Sequence, residues 1–138
     1  MYLIDTNVLS ELSKRRPHDG AQTWFAGVDA EQLWLSVLVI GEIRSGIARR
    51  ARRDAPSAAR LTSWLDRLVR DHRSRILPIT RKVADIWGPL NVPDKLPAID
   101  GLLAATAIAH DLTLVTRNVD DVSRSGVRLL NPFHGETK

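Results

Sequence analysis

The sequence predicts an α/β domain: a parallel sheet with helices on both faces. Three observations point there. Short apolar runs of strand type alternate with stretches whose apolar residues fall three and four apart, from end to end of the 138-residue chain. No internal repeat, low-complexity tract or interdomain linker interrupts this alternation, so residues 1–138 read as one domain. Finally, four acids suit the place where such a sheet binds its ligands, outside the carboxyl ends of the strands: Asp5 and Asp121 follow strands, Asp100 opens a helix that can start there, and Glu42 lies one to two turns into the helix leaving the second strand, from where it can point inward.

Tyr2-Leu3-Ile4 is the first strand, and Asp5, Thr6 and Asn7 behind it are all good helix caps. A helix over residues 6–14 puts Val8, Leu9 and Leu12 on one face. Residues 15–20, with Pro17 and Gly20, form a loop. Ala21, Trp24, Phe25 and Val28 recur at helical spacing. Leu33-Trp34-Leu35 is the second strand, with Trp34 in the core. Ser36 caps a helix whose buried stripe is Ile40, Ile43, Ile47 and Ala51. Its far end, residues 49–53, carries four arginines: either a solvated end that suits the helix dipole, or a surface that tracks phosphates. Residues 54–57, with Pro56, break the pattern. A long helix follows, with Leu61, Trp64, Leu65 and Leu68 on one face. Residues 76–79 are the third strand, and Val83, Ile86, Trp87 and Leu90 mark another helix. Residues 91–97 form a loop. Asp100 opens a helix, residues 101–110, that is apolar all round and therefore buried. Residues 112–116 and 127–130 are the last strands, and the tail from Pro132 is expected to fray.

The composition excludes several classes. With no cysteine there is neither a disulfide nor a thiolate metal site. No apolar run approaches the roughly 20 residues needed to span a bilayer. The amino terminus lacks the basic and long apolar regions of a signal peptide, so the expectation is a soluble cytoplasmic protein. The four histidines lack zinc-ligand spacing, and there is no phosphate-binding P-loop and no G-x-S-x-G elbow. The net charge of +4 and pI near 10.1 favour a polyanionic partner such as nucleic acid.

Each carboxylate has an ordinary reading beside a catalytic one. Asp5 can cap the helix behind it, and one oxygen can do so while the other holds a metal. Asp100 can cap its own buried helix. Glu42 can be a surface residue, but Leu38, Val39 and Gly46 give it an apolar surround. Asp121 can be a turn residue, with Asp120 as competitor and Asn118 as a neutral oxygen donor. Gathered at one edge, carboxylates about 4 Å apart repel by roughly 4 kcal/mol per pair at an effective dielectric of 20. Mg²⁺ relieves such repulsion through one or two carboxylates while keeping waters and accepting phosphate oxygens. An acidified water can then attack phosphorus.

Five segments carry a family resemblance: YLIDTNVLSEL, LSVLVIGEIRSGI, RILPIT, AIDGLLAATAIAHDLTLVTRN and VRLLNPF. In their order and spacing the chain resembles PIN-domain ribonucleases, specifically the VapC toxins of bacterial type II toxin–antitoxin pairs and their FitB-like branch. The resemblance implies a three-layer α/β/α domain with a central parallel sheet of about five strands, and cleavage of RNA that depends on Mg²⁺ or Mn²⁺. Asp5, Glu42 and Asp100 match the family's first three acids. For the fourth, this chain follows the members with an asparagine at Asn118 and an aspartate three residues on, Asp121, with Val122 where an aromatic is usual. Thr116 matches a hydroxyl beside the site and Asn7 a polar residue at its rim. With Arg117 and Asn118 they make the expected substrate-binding set. The resemblance also implies a small VapB-type antitoxin whose carboxy-terminal segment covers the site, often with an arginine among the acids, and a homodimer whose paired sites line one groove. Two other readings stand beside it. One is a PIN-like binding protein without catalysis. The other is a receiver-like phosphoacceptor, which needs an aspartate after the third strand, where Pro78 and Thr80 stand, and a lysine where Arg117 stands.

Overall fold

The structure, a computed structural model, describes residues 1–134. Its elements run β1 (Tyr2–Ile4), α1 (Thr6–Leu12), α2 (Asp19–Ala26), β2 (Leu33–Ser36), α3 (Val37–Ala51), α4 (Ala55–Asp71), β3 (Ile76–Leu77), α5 (Arg81–Leu90), α6 (Ala98–Ala109), β4 (Thr113–Val115), α7 (Val119–Val122) and β5 (Leu129–Leu130). The strands form one parallel sheet in the order β3-β2-β1-β4-β5. The chain thus winds outward from β1 through β2 to β3, then crosses back to β4 and β5. Right-handed crossovers in opposite directions place their helices on opposite faces. The packing agrees: α1, α2, α3 and α4 contact one another, and so do α5, α6 and α7. The result is the three-layer α/β/α architecture that the sequence predicts.

The core lies on both sides of the sheet. Leu3, Ile4, Leu35, Leu114 and Val115 from the strands are buried against Val8, Leu9, Val39 and Leu65 on one face and Leu103, Ala104 and Ala107 on the other. Fully burying each such Leu or Val contributes about 1.5–3 kcal/mol. Among the described residues no helix is long and apolar enough to cross a membrane.

Several boundaries differ from expectation, each for a local reason. α1 stops at Leu12, where the Ser13 N–H bonds back to Leu9 and Ser10 carbonyls. β3 stops at Leu77, because Pro78 has no N–H to give a ladder. The break expected over residues 54–57 does separate α3 from α4 but falls at residues 52–54: Asp54 caps α4 by accepting from the Ser57 N–H (3.2 Å), and Pro56 sits in its first turn, where a missing N–H costs nothing. α6 begins at Ala98, directly after Pro97, so Asp100 lies inside the first turn and does not cap. In α3, Ile43 is buried but Ala51 is exposed, since the arginine-rich last turn runs past the core. Trp34 is only half-buried, with its indole N–H directed at the Met1 sulfur (3.3 Å).

The tail is the largest correction. Pro132–His134 do not fray but form a 3₁₀ turn packed on α2, with Pro132 buried; residues 135–138 lie outside the described residues. The contact is tight at Gly20, where an added Cβ would stand 2.8 Å from the Pro132 carbonyl oxygen. Backbone on both sides leaves little room to yield. Gly20→Ala is therefore expected to destabilise by about 1–3 kcal/mol in spite of its better helix propensity, read as a lower melting temperature. An unchanged or raised melting temperature would show that the turn is not docked there.

Candidate active site

The strand order reverses between β1 and β4, the point where parallel sheets open a crevice for ligands. Ile4 pairs with Val115 there, so the next residues, Asp5 and Thr116, leave the sheet side by side. Asp5 caps α1. Its Oδ1 accepts from the Thr6 N–H (2.7 Å), and its Oδ2 accepts from the Thr116 hydroxyl (2.7 Å) and the Asn7 amide (3.3 Å). The side chain is only 4% exposed. Burial pushes its carboxyl above the ordinary value, against the three hydrogen bonds, and the Glu42 charge adds to the push.

Thr116 is itself buried and does two further things. Its Oγ1 accepts from the Asn118 N–H (3.0 Å), and its own N–H bonds the Leu130 carbonyl of β5 (3.0 Å). Asn7 spans the gap from the other side, accepting from the Arg117 N–H (3.2 Å). Both residues therefore hold Asp5 and the β4–α7 connection together.

Glu42 sits half-buried in the second turn of α3, where its Oε1 accepts from the Thr6 hydroxyl. Asp100 approaches from α6 on the opposite face of the sheet. Burial and repulsion from Asp5, Asp121 and Glu42 push its carboxyl up to about 6. Among the described residues it has no hydrogen-bond or ion-pair partner. Asp100 thus lies within reach of the charges of the other three predicted acids, and Asp5 within reach of Glu42. Asp121, exposed in the first turn of α7, is the member of its pair that acts on Asp100. The backbone carbonyl of Asp120 accepts from the Ser123 hydroxyl (3.4 Å). Asn118 stands exposed at the start of α7 with its side-chain amide unbonded among the described residues.

Arg117, expected in the substrate-binding set, has contacts of its own. Its guanidinium already lies over the Phe133 ring (3.6 Å) and 3.7 Å from Glu11, so it ties the docked tail to the site loop. Glu11 is a residue that the sequence reading missed. It is buried, accepts from the Lys14 ammonium (2.9 Å) and the His18 N–H (2.9 Å), and Lys14 above all holds its carboxyl below the ordinary range. The signal was present: Glu11 follows Val8 by three residues, on the apolar side of α1.

The donors suit a divalent cation of the hard, oxygen-loving kind. Among the described residues no three Asp, Glu or His side chains form a group already set to cage an ion. Mg²⁺ does not need such a cage, since it binds through one or two carboxylates and waters. Burial above all raises the Asp5 and Asp100 carboxyls, and the neighbouring acids add to the push; a bound cation would oppose both effects.

Fold and crevice define a class, and the family comparison agrees: the chain belongs to the PIN domain family, whose model matches residues 2–124. Within it, the chain is similar to VapC ribonuclease Y4jK of Sinorhizobium fredii, 31% identical over 96% of this chain and 98% of that one. It is equally similar to Toxin FitB of Neisseria gonorrhoeae, 31% identical over 97% and 99%. The crystal structure of FitAcB from Neisseria gonorrhoeae superposes with a TM-score of 0.89 at 30% identity, over 97% of this chain and 99% of that chain.

Thr116→Val tests the support of Asp5. It keeps the shape and removes the buried donor to Oδ2. The expected result is a loss of about 10–100-fold in metal affinity or activity, as for other residues that orient a ligand. Unchanged metal affinity and activity would mean that the hydroxyl only fills space.

Proposed function

We propose that this chain is the toxin of a toxin–antitoxin pair and acts as a single-domain, Mg²⁺-dependent endoribonuclease. One observation carries the reading: Asp100 comes from the opposite face of the sheet into the charges of Asp5, Asp121 and Glu42, and burial together with their repulsion raises its carboxyl to about 6. A charge cluster of this kind is costly to keep and is useful for binding a cation that meets phosphate. When bound, Mg²⁺ (or Mn²⁺) supplies charge against the phosphodiester and acidifies a water.

The chain's own residues set the geometry. Asp5 and Asp100 are the direct ligands, Asp5 fixed by its three donors and Asp100 mostly ionised at neutral pH. Glu42 and Asp121 position a second ion or its waters. Asn7 and Thr116 keep Asp5 turned toward the crevice, and the free amide of Asn118 faces substrate. The same negative pocket suits the arginine of a small VapB-type antitoxin, which would mimic the cation's charge. The names of the FitB and VapC relatives support a toxin and a ribonuclease. A homodimer with its two sites along one groove completes the proposal.

Cleavage tests it. RNA incubated with the purified chain should be cut in Mg²⁺, spared in EDTA and cut again when Mn²⁺ is added. No cleavage under any divalent ion would leave a binding protein instead.

A further inference from the structure

The arginine run that closes α3 has no part in the chemistry above, and the fold divides it. Arg49 and Arg50 line a cleft of about 400 Å³, joined there by Lys14 from the end of α1 and Arg60 from α4; Arg52 and Arg53 do not line it. Thr6 and Glu42 are among its lining residues, so the cleft adjoins the acidic crevice. Ile43 and Ile47 of α3 and Leu61 and Trp64 of α4 give it apolar side chains between the cations. Glu42 is the one carboxylate among its described lining residues, against four cations.

Three of these cations are steadied by the fold. Lys14 pairs with Glu11 (2.9 Å), Arg50 reaches Asp54 (3.8 Å), and Arg60 donates to the Ser13 carbonyl (3.1 Å). Their side chains are largely exposed, and such bonds are weak enough to be shared with an incoming anion. Arg49 has no partner among the described residues. It follows Glu42 by seven residues, which places it on the same side of α3, about 10 Å further along the axis. A row of cations that starts at a cutting site and leads away from it is arranged for a polyanion.

We infer that this cleft holds the sugar–phosphate backbone of a single RNA strand on one side of the cut, with Arg49 and Arg60 as its principal phosphate contacts. The inference rests on the ribonuclease reading above and adds the strand's path. Contacts of this kind fix register and carry no sequence information. Ile43, Ile47, Leu61 and Trp64 offer apolar contact to the ribose and base faces that single strands expose.

The test is a salt titration of binding, with a fluorescent single-stranded RNA in EDTA so that nothing is cut. Each lost phosphate contact should lower the slope of log K against log salt by about 0.7. Arg49→Ala and Arg60→Ala are expected to bind more weakly and to show that drop, and Arg49→Lys to restore it. Arg52→Ala and Arg53→Ala remove the same charge beside the cleft and should keep the wild-type slope. Equal effects from all four alanine variants would reduce the cleft to general charge and overturn the path. Unchanged slopes in Arg49→Ala and Arg60→Ala would do the same and leave the cleft to a protein partner. Cleavage assayed separately in Mg²⁺ keeps the two ideas apart. Cutting with unchanged slopes removes only the path, and a slope change without cutting removes only the nuclease.

Discussion

Asp5→Asn is expected to cut RNA cleavage by about a thousandfold, the scale of losing a principal electrostatic contact to the reacting group. It should do so without unfolding the chain. Asparagine caps helices as well as aspartate, so the Thr6 N–H keeps its acceptor. The Thr116 hydroxyl can rotate to accept from the new amide. What disappears is a buried charge whose carboxyl is raised by burial and by Glu42, so the melting temperature should hold or rise. Turnover on RNA in saturating Mg²⁺ and thermal melting of the same preparation read both halves. Near wild-type turnover would reduce Asp5 to a helix cap. A fall of many degrees would make it structural first.

Asp100→Asn should stabilise the protein and abolish cleavage together. The Asp100 carboxyl titrates at about 6 in the folded chain against an ordinary 3.8, because burial and three carboxylates oppose its charge. The folded state thus holds this proton more tightly than the unfolded state. The stability from that proton is fully present below about 3.8 and is lost as pH rises through about 6. For a partly exposed carboxyl, after solvent screening, the loss is on the order of 1–2 kcal/mol, a few degrees in melting temperature. The variant should therefore melt higher than wild type at pH 8, with the difference closing by pH 4. Mg²⁺ should raise the wild-type melting temperature at pH 8 and move the variant less. A lower melting temperature for the variant at pH 8 would show that the four carboxylates do not strain the fold.

Much of this was legible in the chain, and the exceptions have physical causes. Asp5 was readable because two independent requirements meet on it: a strand ends there and a helix must be capped. The parallel sheet followed from the alternation of periods, and the rule that ligands bind outside the carboxyl ends of its strands then pointed to the acids' edge. Element ends were less legible, since they depend on single bonds such as the one Pro78 cannot make. Asp100 was expected as a cap and is not one, because Pro97 starts its helix three residues earlier. Asp120 and Asp121 are adjacent acids that no local pattern separates; the fold does so by bringing the charge of Asp121 to bear on Asp100. The contacts of Arg117 were not legible because its partners are remote. Phe133 lies past the last strand, and Glu11 lies one hundred and six residues earlier. Contacts of that span come from the whole fold and leave no local trace.

The central claim is that the four carboxylates form one site whose repulsion a divalent ion relieves. Calorimetric titration of Mg²⁺ into the chain at pH 6, in two buffers of different ionisation heat, tests it most directly. Binding should release protons, because Asp100 is about half protonated there, and Asp100→Asn should lose both the release and most of the affinity. Absence of binding at millimolar Mg²⁺, or binding that Asp100→Asn leaves unchanged, would contradict it.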